Sequence, residues 1–216
     1  MVNIFAVDSD PVAAAQALYD KHVVKMPIES LQMLSAIHRV CDGTECEVDS
    51  VYFAWKDTSK VYKKPRKFMM LPSFGESVME VRGDSGVSSR KRVVAQVYLM
   101  AHRNHPCTLW ARETTTNYEW LSKHTEALFA EYTYRYGKHH TSFKVYDQFL
   151  RNPPSNIPHG DLTPFALAMK SYPQCVVEGN PIQSYINYYN LKPSLLKHPM
   201  CWKNRVPPIW FEGNNK

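Results

Sequence analysis

A mainly α-helical fold, a compact bundle in a single domain over residues 1–216, is what this chain predicts from three observations. Ser9-Asp10-Pro11 and Thr114-Thr115-Thr116 each put side-chain caps ahead of long stretches with apolar residues at helical spacing. Gly137 supplies a stop at the end of the second stretch. Hydrophobic residues make up 44% of the chain and aromatics 12%, which is enough for a core and excludes a disordered segment.

Taken in order, a helical pattern runs from Pro11 to about Val40, with Pro27 inside it and a kink or restart expected there. Residues 41–92 look loop-rich and basic, an insertion on the helical framework. Lys56, Lys60, Lys63, Lys64, Arg66 and Lys67 alternate with Tyr62, Pro65 and Phe68, and Arg90-Lys91-Arg92 follows a small-residue loop. Val51–Trp55 reads as a short strand or a helical turn. His102–Pro106 makes a turn, Thr108 caps a helix through Arg112, and Asn117–Tyr136 forms a long helix. Thr141–Leu150 is a short helix, Pro181–Leu191 an aromatic one, and Cys201–Phe211 an extended aromatic tail.

The net charge of +6 permits a polyanionic partner, nucleic acid first. The basic 41–92 region reads either as a solvated surface or as a phosphate-contacting face through Lys63, Lys64, Arg66, Arg90 and Arg92. No apolar run approaches the roughly 20 residues that span a bilayer, and no leader with a basic then an apolar region opens the chain. Cys41, Cys46, Cys107, Cys175 and Cys201 are odd in number and widely spaced, which favours reduced thiols and the cytoplasm.

Three constellations could carry chemistry. His22, Lys25 and Glu29 share one face of the first helical stretch at i, i+3 and i+7, flanked by Val23, Val24, Met26 and Ile28. A carboxylate shielded there would suit proton transfer; the plainer alternative is a surface Lys25–Glu29 pair beside a capping histidine. His102-x-x-His105-x-Cys107 invites a metal, but Pro106 lies in the turn and spacing places no fourth ligand. No metal or cofactor is expected, and His105 caps the next helix or meets a phosphate. Tyr132, Tyr134 and Tyr136 cannot all face a core, so some hydroxyls reach water or a ligand, with Arg135 and Lys138 near that helix end.

His22 with Glu29 seven residues on, then Asn104-His105-Pro106, Trp120-Leu121, Leu128, Glu131 and Arg135-Tyr136-Gly137, form blocks that resemble the pyrimidine-dimer DNA glycosylase family, the endonuclease V of T-even phages and its bacterial relatives. Ser184-Tyr185-x-x-Tyr188-Tyr189-x-x-Lys192 is similar to that family's aromatic C-terminal segment. The resemblance implies an endonuclease V-like helical protein of phage type, in the host-cell cytoplasm if phage-encoded. It implies binding to double-stranded DNA with a damaged or modified base, a flipped pyrimidine nucleotide, and N-glycosidic cleavage with lyase activity. The nucleophile would be the N-terminal amine, on Val2 if Met1 is removed and on Met1 otherwise. Glu29 matches the family's catalytic carboxylate, His22 the histidine before it, and His105 a histidine on the turn before the long helix. Lys21, Lys25, Lys63, Lys64, Arg66, Arg90, Arg92, His105, Arg135 and Lys138 would meet the backbone, and Tyr134, Tyr136 or Trp110 would stack on the extruded base. Ile28, Ser30 and Gln32 stand where dimer-specific members carry arginines. A base-modifying transferase on the same scaffold, or a non-catalytic protein that binds nucleic acid or a host protein, are the alternatives.

Overall fold

The computed structural model describes residues 3–82 and 89–213. Two helices open it, α1 (Pro11–Ala17) and α2 (Asp20–Cys41). The Asp10 carboxylate accepts from the Val12 and Ala13 amides, and Pro11 takes the first helical turn, where its missing N–H costs nothing. The break expected at Pro27 lies earlier. Leu18 and Tyr19 are extended, with ψ of 141° and 163°, and α2 runs through Pro27. Proline removes one helical hydrogen bond. On either side of it, however, Val23, Met26, Leu31, Leu34 and Ile37 are all buried in one core, and that packing carries the helix past the local loss.

The loop-rich insertion is the largest correction. Residues 41–92 hold most of a four-stranded sheet: β1 (Thr44–Phe53), β2 (Thr58–Met70), β3 (Val78–Arg82) and β4 (Ser89–Ala95), in the order β2-β1-β4-β3. The fold therefore combines helices with a mixed sheet and is not an all-helical bundle. β1 pairs antiparallel with β2 and parallel with β4, and β3 pairs antiparallel with β4. β2 hid itself because it is an edge strand in which Phe68 alone is buried, so it lacks the alternation that betrays a half-buried strand. Its register with β1 jumps from Arg66 opposite Val48 to Val61 opposite Ser50, leaving Tyr62–Pro65 bulged out of the ladder. Val48, Val51, Phe53, Phe68, Val93 and Ala95 give the sheet a small core of its own.

Arg39, 1% exposed near the end of α2, ties helix to sheet. Its guanidinium meets Glu76 through Nη1 at 2.9 Å and Nη2 at 2.8 Å, and donates to the carbonyls of Met69, Val97 and Tyr98. Glu76 in turn accepts from the Leu71 and Gln96 amides. This fixes the near end of the sheet against α2.

Beyond the sheet, α3 (Pro106–Ala111) is capped by His105, whose Nδ1 accepts from the Cys107 amide; Thr108, the cap expected from sequence, lies buried inside the helix. α4 (Thr115–Tyr136) starts at the Thr114 cap and ends at Gly137, which takes φ +66° as a left-handed stop requires. The helix expected at 141–150 is a single turn, α5 (Phe143–Val145), continuing as a π-turn over Tyr146–Leu150. α6 (Pro181–Leu191) keeps its expected bounds, with Asn180 as cap. The tail folds back: the Trp202 indole donates to the Ala17 carbonyl, and Arg205 grips Glu131 through Nε and Nη2 at 2.7 and 2.8 Å.

Candidate active site

The first half of α2 carries the polar stripe. Lys25 Nζ lies 2.6 Å from Glu29 Oε1, the lysine half-exposed and the carboxylate side chain only 10% so. Glu29 Oε2 is buried and has no hydrogen-bond partner. Buried polar atoms are nearly always satisfied, so an open carboxylate oxygen is an unusual feature; Ser30 Oγ on the same helix is also buried without a partner. Among the described residues, no group of three or more His, Cys, Asp or Glu side chains is arranged to hold a metal ion.

His22, one turn before Lys25, is 6% exposed. Its Nδ1 lies 2.5 Å from the Tyr189 hydroxyl, and its ring stacks on Phe5 with centroids 4.1 Å apart. Burial pushes its pKa well below the ordinary value, and the nearby ammoniums of Lys192 and Lys25 push the same way. The ring is neutral at pH 7. Its Nδ1 is taken up by the Tyr189 hydroxyl. His105 is half-buried; burial lowers its pKa first, His102 adds to this, and Glu29 opposes it, so His105 and Glu29 belong to one electrostatic neighbourhood. Its Nδ1 acts as the α3 cap, leaving the proton on Nε2.

Phe5 has φ +44°, a conformation rarely taken by a bulky residue. Such strain persists where surroundings over-determine it. Here Phe5 is held by His22, by Tyr188 in a parallel stack at 6.1 Å, and edge-on by Tyr185 and Tyr189. Just before it, Asn3 is 1% exposed, donating to the Ala168 carbonyl and accepting from the Ile4 amide. The chain thus enters the molecule beside His22 and α6. Met1 and Val2, named from the resemblance as bearers of the nucleophilic amine, lie outside the described residues.

Of the predicted backbone contacts, Lys21 and Lys25 are exposed on the α2 face that bears Glu29. Lys63 and Lys64 project from the bulge of β2, Arg66 is exposed beyond it, and Arg90 is exposed on β4. Arg92 is partly buried, its Nε 3.3 Å from the Ser50 hydroxyl. A cleft of about 520 Å³ lined by Gln32, Trp55, Lys60 and Tyr98 adjoins a second of about 250 Å³ lined by Lys60, Tyr62 and Arg66. Together they lead from one turn beyond Glu29 to the sheet edge.

Arg135 is not available to phosphate. It is 1% exposed, with Nε on Glu131 at 2.7 Å, Nη1 on Asp20 at 2.9 Å and Nη2 on the Gln16 carbonyl. Lys138, three residues beyond Arg135 and past the Gly137 stop, is exposed. Trp110 is likewise corrected: it is 2% exposed, packed on Trp120 and Phe165, and has no face to offer a base. Tyr134 is 55% exposed but carries Arg205 over its ring at 4.7 Å, and Tyr136 leans on Tyr132 with Lys203 above it. The rings beside the polar stripe are instead Phe5, Tyr19, Tyr188 and Tyr189. The 3–4 spacing of Tyr185, Tyr188, Tyr189 and Lys192, which puts them on one helical face, is the sequence signal that pointed there.

A family model described as pyrimidine dimer DNA glycosylase matches residues 2–145, a span that includes α1, α2, the sheet, α3, α4 and α5. Neither the curated proteins nor the solved structures searched contain a significant match.

Proposed function

The chain belongs to the pyrimidine dimer DNA glycosylase family, and from that premise we propose that it cleaves the N-glycosidic bond of a damaged or modified pyrimidine in double-stranded DNA. Glu29 is the acid/base, and the N-terminal amine of Val2 or Met1 is the nucleophile. The observation that carries the reading is the half-satisfied Glu29: Lys25 holds Oε1 at 2.6 Å while the buried Oε2 stays open. An α-amine suits the attack because its pKa, roughly 8, leaves more free base at neutral pH than an ordinary lysine does. Its nitrogen bonds to C1′ as the bond from C1′ to the base breaks, the electron pair leaving with the base. Glu29 moves the protons that this exchange and the later imine chemistry require. His22, neutral and held by Tyr189 and Phe5, keeps the first turns of α2 in place beside the entering chain. Lys21 and Lys25 neutralise phosphates near the reacting nucleotide, and Lys63, Lys64, Arg66 and Arg90 extend the contact along the sheet edge.

The test is base release and strand scission on duplex DNA with a single pyrimidine dimer, comparing wild type with Glu29→Gln. The proposal expects product formation to collapse in Glu29→Gln while DNA binding persists. Equal rates in the two proteins would overturn Glu29 as acid/base. A mass gain on DNA without scission would turn the reading to base modification.

A further inference from the structure

We propose that the side-chain amine of Lys192 is a second nucleophile of this site, forming an imine with the open-chain aldehyde of an abasic deoxyribose. The inference rests on the DNA glycosylase reading above and deepens it. Lys192 lies just past α6, outside the residues that the family model matches. It is 9% exposed, almost the same depth as Glu29 at 7%. Its Nζ sits among three aromatic rings, 5.1 Å from the centroid of Tyr188, 5.7 Å from Phe5 and 5.8 Å from Tyr19. Among the described residues no carboxylate lies within ion-pairing distance of it. A buried lysine that only holds a fold together is ordinarily paired with an acid. The titratable groups around it are the ammonium of Lys25, which carries the salt bridge to Glu29, the neutral His22 stacked on Phe5, and the Tyr19 and Tyr188 phenols.

Such surroundings, an apolar cage beside a second cation, favour the free amine over the ammonium. Burial first and Lys25 second lower the Lys192 pKa to about 8. At pH 7.4 about a fifth of such an amine is free base, against about one part in a thousand for an ordinary lysine. In the reaction the Nζ lone pair adds to C1′ as the carbonyl π bond opens. The resulting carbinolamine then loses its hydroxyl as water, both hydrogens of which come from the amine. The product is the C1′=Nζ imine, and borohydride delivers hydride to C1′ to leave a stable secondary amine.

The experiment uses the full chain and a duplex with one abasic site, trapped with borohydride, digested, and mapped by mass spectrometry to the amine that bears the adduct. The expected result is an adduct on Lys192 that survives acetylation of the N-terminal amine and falls at least tenfold in Lys192→Arg, which keeps the cation. An adduct confined to the N-terminal amine, with Lys192→Arg trapped at the wild-type yield, would overturn the role of Lys192 and leave the glycosylase reading standing. Bound DNA with no adduct on either amine would overturn both amine roles. A second measurement needs neither DNA nor a variant: reductive methylation of wild-type protein with limiting formaldehyde at pH 7.5. Lys192 should be methylated ahead of exposed Lys21 and Lys138, and labelling it last would overturn the proposal.

Discussion

Helix α2 meets one buried carboxylate, Glu76, near its C-terminal end and carries another, Glu29, in its first half, and the two are built in opposite ways. Toward the C-terminal end Glu76 takes a bidentate fork from Arg39 and two backbone amides, so both of its oxygens are satisfied and all the Arg39 donors are used. Toward the N-terminal end Glu29 takes one half-exposed lysine and leaves Oε2 open. A closed network of charges in a low-dielectric interior rigidifies the structure and has nothing left to offer a ligand. An open one is held less firmly and can exchange its partner or its proton. Burial is nearly the same at the two acids; what differs is how many of their atoms are satisfied.

The comparison breaks most clearly on Glu29→Gln. Base-release rate should fall on the order of 10²–10⁴-fold, the usual worth of a general acid/base, while the unfolding free energy shifts by less than about 1 kcal/mol, since a half-exposed lysine partner contributes little. Single-turnover kinetics alongside urea unfolding checks both halves. Glu76→Ala should do the reverse, costing about 3–5 kcal/mol of stability by stranding a buried guanidinium. Its loss should appear as a lower urea midpoint, and an unchanged midpoint would mean that the Arg39 network is not what joins helix to sheet.

Acid sharpens the contrast further. His22 is held well below the ordinary histidine range, His38 at about 4 and His124 at about 3, each chiefly by burial. The unfolded chain binds protons to these rings near pH 6.5 and the folded one does not, so stability is fully present above about 6.5 and drains away as pH falls toward the folded values. Each ring can contribute up to about 1.4 kcal/mol per pH unit. Unfolding midpoints should stay level from pH 7.5 to about 6.5 and then fall toward pH 5, less steeply in His38→Gln. Tyr189→Phe, which removes the 2.5 Å contact to His22, should cost about 1 kcal/mol in thermal unfolding. Smallest of all, Lys63→Ala and Lys64→Ala should leave activity at low salt nearly intact. Each should lower the slope of log affinity against log salt by about 0.9 in a titration on duplex DNA.

Much of the helical frame was legible because its signals are local. The Asp10 and Thr114 caps, the Gly137 stop and the bounds of α6 each depend on a few neighbouring residues. The sheet was not legible: β2 buries one side chain and its partners lie on other strands, so its pattern says surface and nothing more. The Lys25–Glu29 pair could be read from its spacing. That Arg135 would spend its donors on Asp20, Glu131 and the Gln16 carbonyl could not, nor that Trp110 would face the core, because both outcomes depend on where the N-terminal helices and the C-terminal tail return.

By itself, then, the sequence determined what local capping and periodicity determine: the Asp10 and Thr114 caps, the Gly137 stop, the bounds of α6, and that His22, Lys25 and Glu29 share a face. It missed the break at Leu18–Tyr19 and overextended the helix at 141–150. Only the tertiary structure decided which charges are spent on the fold and which stay open. Desolvation and hydrogen-bond satisfaction are set by groups brought together from distant parts of the chain. Arg39 finds Glu76 in a connection of the sheet that the pattern hid, and Lys192 arrives beside Phe5 and Lys25 from far along the chain.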